Sequence, residues 1–392
     1  MTPLSGIVVV AVEQAIAAPL CTRHLADLGA RVIKIERPGD GDFARAYDRR
    51  ARGMSSHFVW TNRSKESLTL DLKSDCAADV LARLLPIADV VVQNLAPGAS
   101  HRLGLSYEAL SPRFPRLIVC DISGYGLGGP YAERKAYDLL VQGESGFLSV
   151  TGTADDPVKA GIPVSDIAAG MYAYSRILAA LLERGRTGRG SHLDISLLEA
   201  AVEWMGFPLY YSMEGASPPP RNGLGHAAIY PYGAFECADG EHVLFGIQNA
   251  REWSAFCEVV MGRPDLATDP RYASTSNRFD NRSQIDPTIC QVLSALTAGE
   301  LKARLDQAQI AYADLNSMAQ VWNHPQLAAR RRWTSVDSEV GPLPALLPPG
   351  VTSAASVRMG PVPQLGEHTD RILQELGFDS EWISAQHDRS SI

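Results

Sequence analysis

The amino-acid sequence predicts an α/β protein with a mostly parallel β-sheet in its larger domain and a smaller α+β domain. Short, continuously apolar runs alternate with helical patterns through the first half of the chain, which is typical of parallel strands covered by helices on both faces. The chain has 392 residues, more than the roughly 250–300 that one hydrophobic core usually serves. Proline-rich segments at 215–223 and 342–349 offer boundaries between two domains.

The chain begins with the pattern of a βαβ unit. Residues 6–12 predict a buried strand, residues 18–28 a helix that ends at Gly29, and residues 31–36 a second strand. This pattern is typical of a Rossmann-like domain. The turn after the first strand has no GxGxxG sequence, however. The sequence therefore lacks the main motif that would predict binding of a nicotinamide or flavin dinucleotide.

The remaining elements follow from the same patterns. Further strands are predicted at 68–72, 89–93, 117–122, 192–196 and 240–247, and helices at 75–86, 166–182, 197–211, 251–261, 299–309 and 369–376. We expect residues 1–212, completed by 345–392, to form the large Rossmann-like domain. Residues 230–333 are the predicted small domain, with 213–229 as the outgoing linker and 334–349 as the return linker.

Composition and charge disfavour several functional classes. A net charge of −8 without a basic block argues against nucleic acid or an anionic membrane as the main partner. No run approaches the ~18 apolar residues of a membrane span, and the first residues lack the features of a signal peptide. We therefore expect a cytoplasmic protein. The six cysteines have no CxxC or CxH spacing, so no metal site is predicted.

Short motifs follow one another along nearly the whole chain. They are ARVIKIERPGDGD (30–42), NRSKESLTLDLK (62–73), VQNLAPG (92–98), GYG (124–126), SGFLSVTG (145–152), DIAAG (166–170), RTGRG (186–190) and LGEHT (365–369). In this order they resemble the class III CoA-transferases, whose relatives include formyl-CoA transferase, carnitine CoA-transferase and the α-methylacyl-CoA racemases. The resemblance implies an interlocked homodimer that uses a coenzyme A thioester as co-substrate, with no permanently bound cofactor and no metal.

The position that matches the family nucleophile is Asp166, at the start of a predicted long helix. The resemblance implies that its carboxylate attacks an acyl-CoA thioester to give a mixed anhydride and then an aspartyl-CoA thioester, from which an acceptor carboxylate takes the CoA. From local chemistry alone, an aspartate at a helix N-terminus is more often a cap than a catalyst. We expect the positive end of the helix to keep the carboxylate ionised.

The resemblance also assigns the residues around this nucleophile. The CoA contacts map to Arg37, Leu70, Lys73, Asn94, Arg102 and Lys135. Cations at the mouth of an apolar slot suit the phosphates and pantetheine of CoA, although each cation by itself has the character of a surface charge. The active-site lining maps to Tyr137, Asp138, Gln14 and Ala15. For the second carboxylate of a substrate we favour Arg45 and His226.

Two features of the sequence favour one of the family's activities over the others. Racemases need a histidine immediately before an aspartate as a second acid or base, and this chain has Tyr137 before Asp138; tyrosine is a poor base at neutral pH. Residues 13–15, 41–45, 56–60 and 226–233 resemble the branch that moves CoA from succinyl-CoA to itaconate, mesaconate or citramalate, or between the carboxyls of mesaconyl-CoA. A racemase or epimerase and a non-catalytic acyl-CoA-binding protein are the alternatives.

Overall fold

The computed structural model describes residues 2–351, 353 and 356–392. The chain forms two compact units. The large unit contains the residues up to 147, residues 160–206 and the residues from 326 onward, and the small unit contains residues 148–159 and 207–325. Of the two predicted large-domain ranges, residues 1, 352, 354 and 355 lie outside the described residues.

The secondary structure follows the order of the sequence. The strands are β1 Val8–Val12, β2 Arg31–Glu36, β3 Glu66–Thr69, β4 Val90–Gln93, β5 Ile118–Ser123, β6 His192–Ser196, β7 Tyr232–Glu236, β8 His242–Gly246, β9 Tyr312–Asp314, β10 Trp333–Val336 and β11 Leu343–Leu346. The α-helices are α1 Ala17–Asp27, α2 Ser56–Asn62, α3 Ala77–Leu84, α4 Ala99–Arg102, α5 Tyr107–Leu110, α6 Asp138–Glu144, α7 Phe147–Val150, α8 Val164–Thr187, α9 Leu197–Trp204, α10 Gly206–Tyr211, α11 Ala250–Ala255, α12 Pro264–Ala267, α13 Thr275–Asp280, α14 Arg282–Leu293, α15 Ala298–Gln307, α16 Met318–Trp322, α17 Pro325–Ala329, α18 Thr369–Glu375 and α19 Ser380–Asp388.

A six-stranded parallel sheet organises the large unit, in the order β3-β2-β1-β4-β5-β6. Successive residues of a strand point to opposite faces, and each face of this sheet has its own core. Val9 and Val32 belong to the core that contains α1 and α8. Val10 and Ile33 belong to the core that contains α3, α18 and α19. Burial on both faces explains why the strands are continuously apolar in sequence.

The small unit is built around a different sheet. Its strands β7, β8 and β9 pair antiparallel, and their inward side chains pack with those of α11, α14 and α15. Helix α15 begins at a capping box in which Thr297 and Glu300 bond each other's backbone N–H groups. The parallel sheet of one unit and the antiparallel sheet of the other confirm the predicted α/β class with a smaller α+β domain.

The two units differ in extent from the predicted domains. Residues 148–159 belong to the small unit, in which Arg221 donates to the carbonyl oxygens of Thr153 at 2.9 Å and Ala154 at 2.8 Å. The range 334–349, predicted as a return linker, contains most of an antiparallel hairpin formed by β10 and β11. Its residues Val336 and Leu343 are buried against Phe58 of the large unit. Apolar residues between prolines can thus form a hairpin as readily as a linker.

Two predicted elements have different bounds. The predicted helix 197–211 is divided into α9 and α10 at Met205, three residues before Pro208, which has no N–H to continue a helical hydrogen-bond pattern. The predicted strand 68–72 is β3 at Glu66–Thr69. Leu70 and Leu72, whose apolar character suggested a longer strand, instead line a cavity beyond the strand end. No helix in the described ranges is long and apolar enough to cross a membrane.

A histidine on β6 should make the stability of the large unit depend on pH. His192 Nε2 lies 2.6 Å from Asp121 Oδ2 on β5, and this hydrogen bond raises the pKa of His192. The stabilisation is therefore complete below the unfolded pKa of about 6.5 and is lost as pH rises through the folded value. We expect His192→Gln to lose about 0.5–1 kcal/mol more at pH 6 than at pH 9. Chemical denaturation at both pH values, with exposed His101→Gln as control, measures this difference; equal losses would contradict it.

Candidate active site

A cavity of about 710 Å³ opens in the large unit at the carboxyl ends of β1 to β4. Its walls come from the turns that follow these strands and from α4. The strand order reverses direction between β1 and β4, and crevices at such a reversal are the usual ligand sites of parallel sheets. The position of the cavity is therefore a consequence of the sheet topology.

Most of the residues predicted to contact CoA line this cavity. Arg37, Leu70, Lys73, Asn94 and Arg102 are all part of its wall, as is Gln14. They follow the carboxyl ends of four strands, β1 to β4, and the parallel sheet brings these four strand ends together. Lys135, the remaining predicted contact, does not line the cavity in the described part of the chain; it is exposed, three residues before α6.

The cavity wall combines cations with apolar side chains. Arg37, Lys73 and Arg102 are exposed, whereas Ile35 and Leu70 are buried; all five line the cavity. Guanidinium and ammonium groups bind phosphate oxygens, and apolar side chains accept an uncharged arm. This wall suits a ligand with several phosphates and a long, weakly polar chain.

Asp166 lies in the first turn of α8, with its side chain partly buried. It does not cap the helix. Asp138, at the start of α6, provides the cap from a distant part of the sequence: its Oδ1 accepts from the backbone N–H groups of Ser165 at 2.8 Å and Asp166 at 3.4 Å. Gln142 holds the other oxygen of Asp138 at 2.6 Å. The carboxylate of Asp166 has no hydrogen-bond partner among the described residues, which leaves it available for chemistry.

The pKa of Asp166 is raised to about 7, chiefly by burial and secondly by the negative charge of Asp138. We expected the helix N-terminus to keep this carboxylate ionised, and that expectation was wrong. The Asp138 carboxylate accepts the N–H groups at the start of α8. Asp166 is therefore affected mainly by the like charge of Asp138 and by desolvation. A carboxyl group with a pKa near 7 is half ionised at neutral pH.

This pKa predicts the pH dependence of any reaction that needs ionised Asp166. We expect kcat/KM for an acyl-CoA to fall about tenfold per pH unit below pH 7 and to level off above it. Asp138→Asn keeps an oxygen acceptor for the helix N–H groups but removes the like charge. The fall of kcat/KM should therefore begin at a lower pH in this variant. Initial rates between pH 5 and 9 measure both profiles. A wild-type profile that is flat down to pH 5.5 would contradict the prediction.

Two tyrosines lie near Asp166. Tyr137 is the N-cap residue of α6 and its side chain is exposed. Tyr47 was not predicted from the sequence; burial and the charges of Asp42 and Asp166 raise its pKa to about 12. The ring of Tyr47 also contacts His57, with ring centroids 5.4 Å apart. Residues 41–45 are one of the ranges that resemble the dicarboxylate branch, and Tyr47 follows them by two residues. This proximity was the only feature of the sequence that could have indicated Tyr47 as a site residue.

Gln14 and Ala15 form the turn between β1 and α1. Ala15 has φ = 63°, a left-handed conformation that is uncommon for a residue with a Cβ atom. The backbone of Gln14 is bonded on both sides to the side-chain amide of Asn94, at 2.9 Å and 2.8 Å. The side chain of Gln14 has no hydrogen-bond partner in the described ranges, so its amide is available to a ligand in the cavity.

The two residues favoured for a second substrate carboxylate have other contacts. Arg45 forms a bidentate pair with Glu36, with both N–O distances at 2.8 Å, and its guanidinium lies 3.8 Å from the ring centre of Phe58. These contacts occupy the donors that a substrate would need. His226 belongs to the small unit, where its Nδ1 accepts from the N–H of Ala228 at 3.0 Å.

The sequence analysis did not identify a buried network of charges next to the Gln14 turn. Glu13, Lys34, Asp42 and Lys65 have side chains with no solvent exposure and pair with one another. Lys34 and Lys65 were visible only as parts of the motifs 30–42 and 62–73. A lysine within an apolar strand, such as Lys34 in β2, was the available signal, since lysine is seldom buried without an acidic partner.

Several known proteins are similar to this chain over nearly its whole length. The chain is 33% identical over 387 residues to the succinyl-CoA:glutarate CoA-transferase of Mus musculus, which covers 96% of this chain and 87% of the mouse protein. It is 32% identical over 394 residues to the succinyl-CoA:mesaconate CoA-transferase of Haloarcula marismortui, with 97% and 98% covered. A crystal structure of a CAIB/BAIF family protein from Brucella suis matches with a TM-score of 0.83 at 32% identity, covering 96% of this chain and 99% of that one.

A sequence model of CoA-transferase family III matches residues 4–369, nearly the whole chain. The match includes all six strands of the parallel sheet, the cavity and Asp166. It confirms the family resemblance carried by the motifs. The chain belongs to CoA-transferase family III and is a CoA-transferring enzyme by that membership.

Proposed function

We propose that this enzyme moves CoA from succinyl-CoA to a C4 or C5 dicarboxylic acid, with Asp166 as the nucleophile. The observation that carries the proposal is a partly buried carboxylate without a hydrogen-bond partner in the described chain, in the same unit as a cavity lined by Arg37, Lys73 and Arg102. In this proposal the cations bind the phosphates of CoA, and the apolar side chains of the cavity contact its pantetheine arm. Asn94 and Leu70 complete the proposed CoA site. Lys135 remains a prediction from the family resemblance.

The proposed reaction has two halves. A carboxylate oxygen of Asp166 attacks the thioester carbon of succinyl-CoA, the C–S bond breaks, and CoA leaves as a thiolate beside a mixed anhydride. The thiolate then attacks the aspartyl carbonyl carbon, which releases succinate and leaves CoA on Asp166 as a thioester. The acceptor carboxylate reverses these steps: it forms a new anhydride with Asp166, and the thiolate takes its acyl group.

The choice of donor and acceptor is supported by the relatives. Their names pair succinyl-CoA with glutarate, mesaconate or L-malate. These three are dicarboxylic acids with four or five carbon atoms. Itaconate and citramalate belong to the same chemical class. Transfer between the two carboxyl groups of mesaconyl-CoA uses the same steps within one molecule and is the intramolecular form of this proposal.

The proposal includes an interlocked homodimer, which the family resemblance implies. Helix α10 supports it, since Phe207, Leu209 and Tyr210 expose 57%, 54% and 80% of their surface in the single chain, and clustered exposed apolar side chains mark protein interfaces. Sedimentation equilibrium at micromolar concentration tests this part, and a monomer mass would contradict it. The cytoplasmic location stays a prediction.

An α-methylacyl-CoA racemase or epimerase is the second candidate. A pKa of about 7 for Asp166 also suits a base that removes a proton next to a thioester carbonyl. The absence of a histidine before Asp138 disfavours it. A non-catalytic acyl-CoA-binding protein would bind CoA esters without any turnover.

One experiment separates the three functions. The enzyme is mixed in deuterated water with succinyl-CoA and each of glutarate, mesaconate, itaconate, citramalate and malate, and in a parallel sample with a 2-methylacyl-CoA alone. The CoA esters of all samples are analysed by mass spectrometry. Transfer predicts a new acyl-CoA for at least one acid and a covalent adduct on the protein without any acid. Deuterium at the α-carbon of a 2-methylacyl-CoA without transfer would favour the racemase, and binding without either product would favour the binding protein.

A further inference from the structure

The turn between β1 and α1 is held by four hydrogen bonds between its backbone and side chains from other parts of the large unit, one of them buried and three partly buried. Lys34 Nζ donates to the carbonyl oxygen of Glu13 at 3.3 Å, and Asn94 bonds both the N–H and the carbonyl of Gln14. The N–H of Ala15 donates to Asp42 Oδ1 at 3.0 Å. Side chains of Lys34 in β2, Asp42 after β2 and Asn94 after β4 thus bond a backbone segment of three residues, 13–15, in which Ala15 has the left-handed φ of 63°.

Asp42 connects this turn to the chain segment that precedes Tyr47. Its Oδ1 also accepts from the N–H of Ala44 at 2.9 Å, at the beginning of the 3₁₀ turn Phe43–Ala46 that leads to Tyr47. Its Oδ2 binds Lys34 Nζ at 2.8 Å, and neither side chain has solvent exposure. One carboxylate therefore determines the spacing between the Gln14 turn and the segment that carries Tyr47.

The turn is also connected to the helix of the nucleophile. Helix α1 begins two residues after Ala15, and Gly170 of α8 lies one helical turn beyond Asp166. A Cβ atom added at Gly170 would lie 2.6 Å from the carbonyl oxygen of Ala17, so the two helices touch through their backbones at this point. A shift of the turn would therefore change the position of Gln14 relative to Asp166.

We propose that Asp42 is a positioning residue for CoA transfer: it holds the Gln14–Ala15 turn in its left-handed conformation, so that the free amide of Gln14 faces the thioester end of the ligand. This inference rests on the proposed function. Lys34 keeps the Asp42 carboxylate in the orientation in which one oxygen receives both N–H groups. An asparagine would keep that oxygen but lose the ion pair with Lys34, whereas an alanine would lose both.

Asp42→Ala tests this role in the full-length enzyme. Because displacements of about 1 Å can cost about 10²-fold in rate, we expect kcat with succinyl-CoA to fall by about that factor. The KM for succinyl-CoA should change less than about threefold, since the cations of the cavity are unaltered. Asp42→Asn should lower kcat by a smaller factor than Asp42→Ala. Exposed Asp40→Asn, two residues away, is the matched control and should keep wild-type kcat.

A second substitution separates positioning from a general loss of structure. Glycine adopts φ near +63° without a Cβ penalty, so Ala15→Gly in the Asp42→Ala background should restore kcat about fivefold. Hydrogen exchange should be faster at the Ala15 amide in Asp42→Ala and unchanged in the middle of α8. If Asp42→Ala does not fold, Asp42→Asn with and without Ala15→Gly provides the same comparison.

The outcomes are distinct from those of the proposed function. If wild-type enzyme transfers CoA and the folded Asp42 variants keep wild-type kcat, the positioning role is overturned and the proposed function stands. An Ala15→Gly change that restores nothing would also overturn it. If wild-type enzyme forms no adduct with succinyl-CoA or a C5 acyl-CoA, the proposed function fails and the role of Asp42 in transfer fails with it.

Discussion

Replacing Asp166 with asparagine is expected to lower CoA transfer by about 10⁴-fold or more, because the covalent intermediate can no longer form. Asparagine has the shape of aspartate but is a far weaker nucleophile. The affinity for CoA should change little, since the cations and apolar residues of the cavity come from other strand ends. Intact-protein mass spectrometry after mixing with succinyl-CoA should show an adduct on the wild-type protein alone.

The same variant offers a second measurement that does not depend on turnover. Because the folded pKa of Asp166 is about 7, above the unfolded value of about 3.9, ionisation destabilises the folded wild type as pH rises. Asp166→Asn should therefore unfold at a higher temperature than wild type at pH 8 and at nearly the same temperature at pH 4. Asp155→Asn, at an exposed carboxylate, is the control for both measurements. An adduct on the Asp166→Asn protein would contradict the proposal that Asp166 is the nucleophile.

Removing the cations of the cavity together is expected to raise the KM for succinyl-CoA by about 10²-fold. Exposed charge pairs contribute roughly 1 kcal/mol each, so Arg37→Gln, Lys73→Gln and Arg102→Gln should each raise KM about fivefold. The reason is the loss of contacts to the phosphates of CoA, so the turnover number at saturation should stay within about twofold.

A truncated substrate identifies the cause of that effect. Succinyl-pantetheine lacks every phosphate of CoA, and the triple variant should use it as well as wild-type enzyme does. Arg186→Gln, an exposed cation at the end of α8 outside the cavity, is the matched control. Equal losses with both substrates would mean that the cations support the fold rather than bind phosphate. Lys135→Gln, measured beside them, tests the one predicted contact that does not line the cavity.

Much of the architecture could be predicted from local patterns. Continuous apolar strands such as β1 and β4 indicated a sheet buried on both faces, and the two cores of the large unit are the physical basis of that pattern. The family resemblance marked Arg37, Lys73, Asn94 and Arg102 as CoA contacts before their proximity was known. The parallel sheet brings the carboxyl ends of β2, β3 and β4, which these residues follow, to one edge.

Other properties depend on contacts between distant residues. Arg45 was favoured for substrate binding because a second substrate carboxylate needs a cationic or hydrogen-bonding partner. An exposed cation and a paired one look the same in sequence, and only the fold shows the bidentate pair of Arg45 with Glu36. Tyr47 and Asp42 were missed for a related reason. Their roles come from neighbours on other strands and helices, with no periodic pattern of their own.

By itself the sequence determined the α/β class and the family and indicated Asp166 as the candidate nucleophile, because apolar periodicity and ordered motifs are local properties of the chain. The tertiary structure decided the chemistry of that nucleophile. Asp138, 28 residues before Asp166, takes the N–H groups of α8, and burial with this like charge raises the pKa of Asp166. Charge interactions depend on distance in space and on desolvation, and both are established only when α6 and α8 pack together.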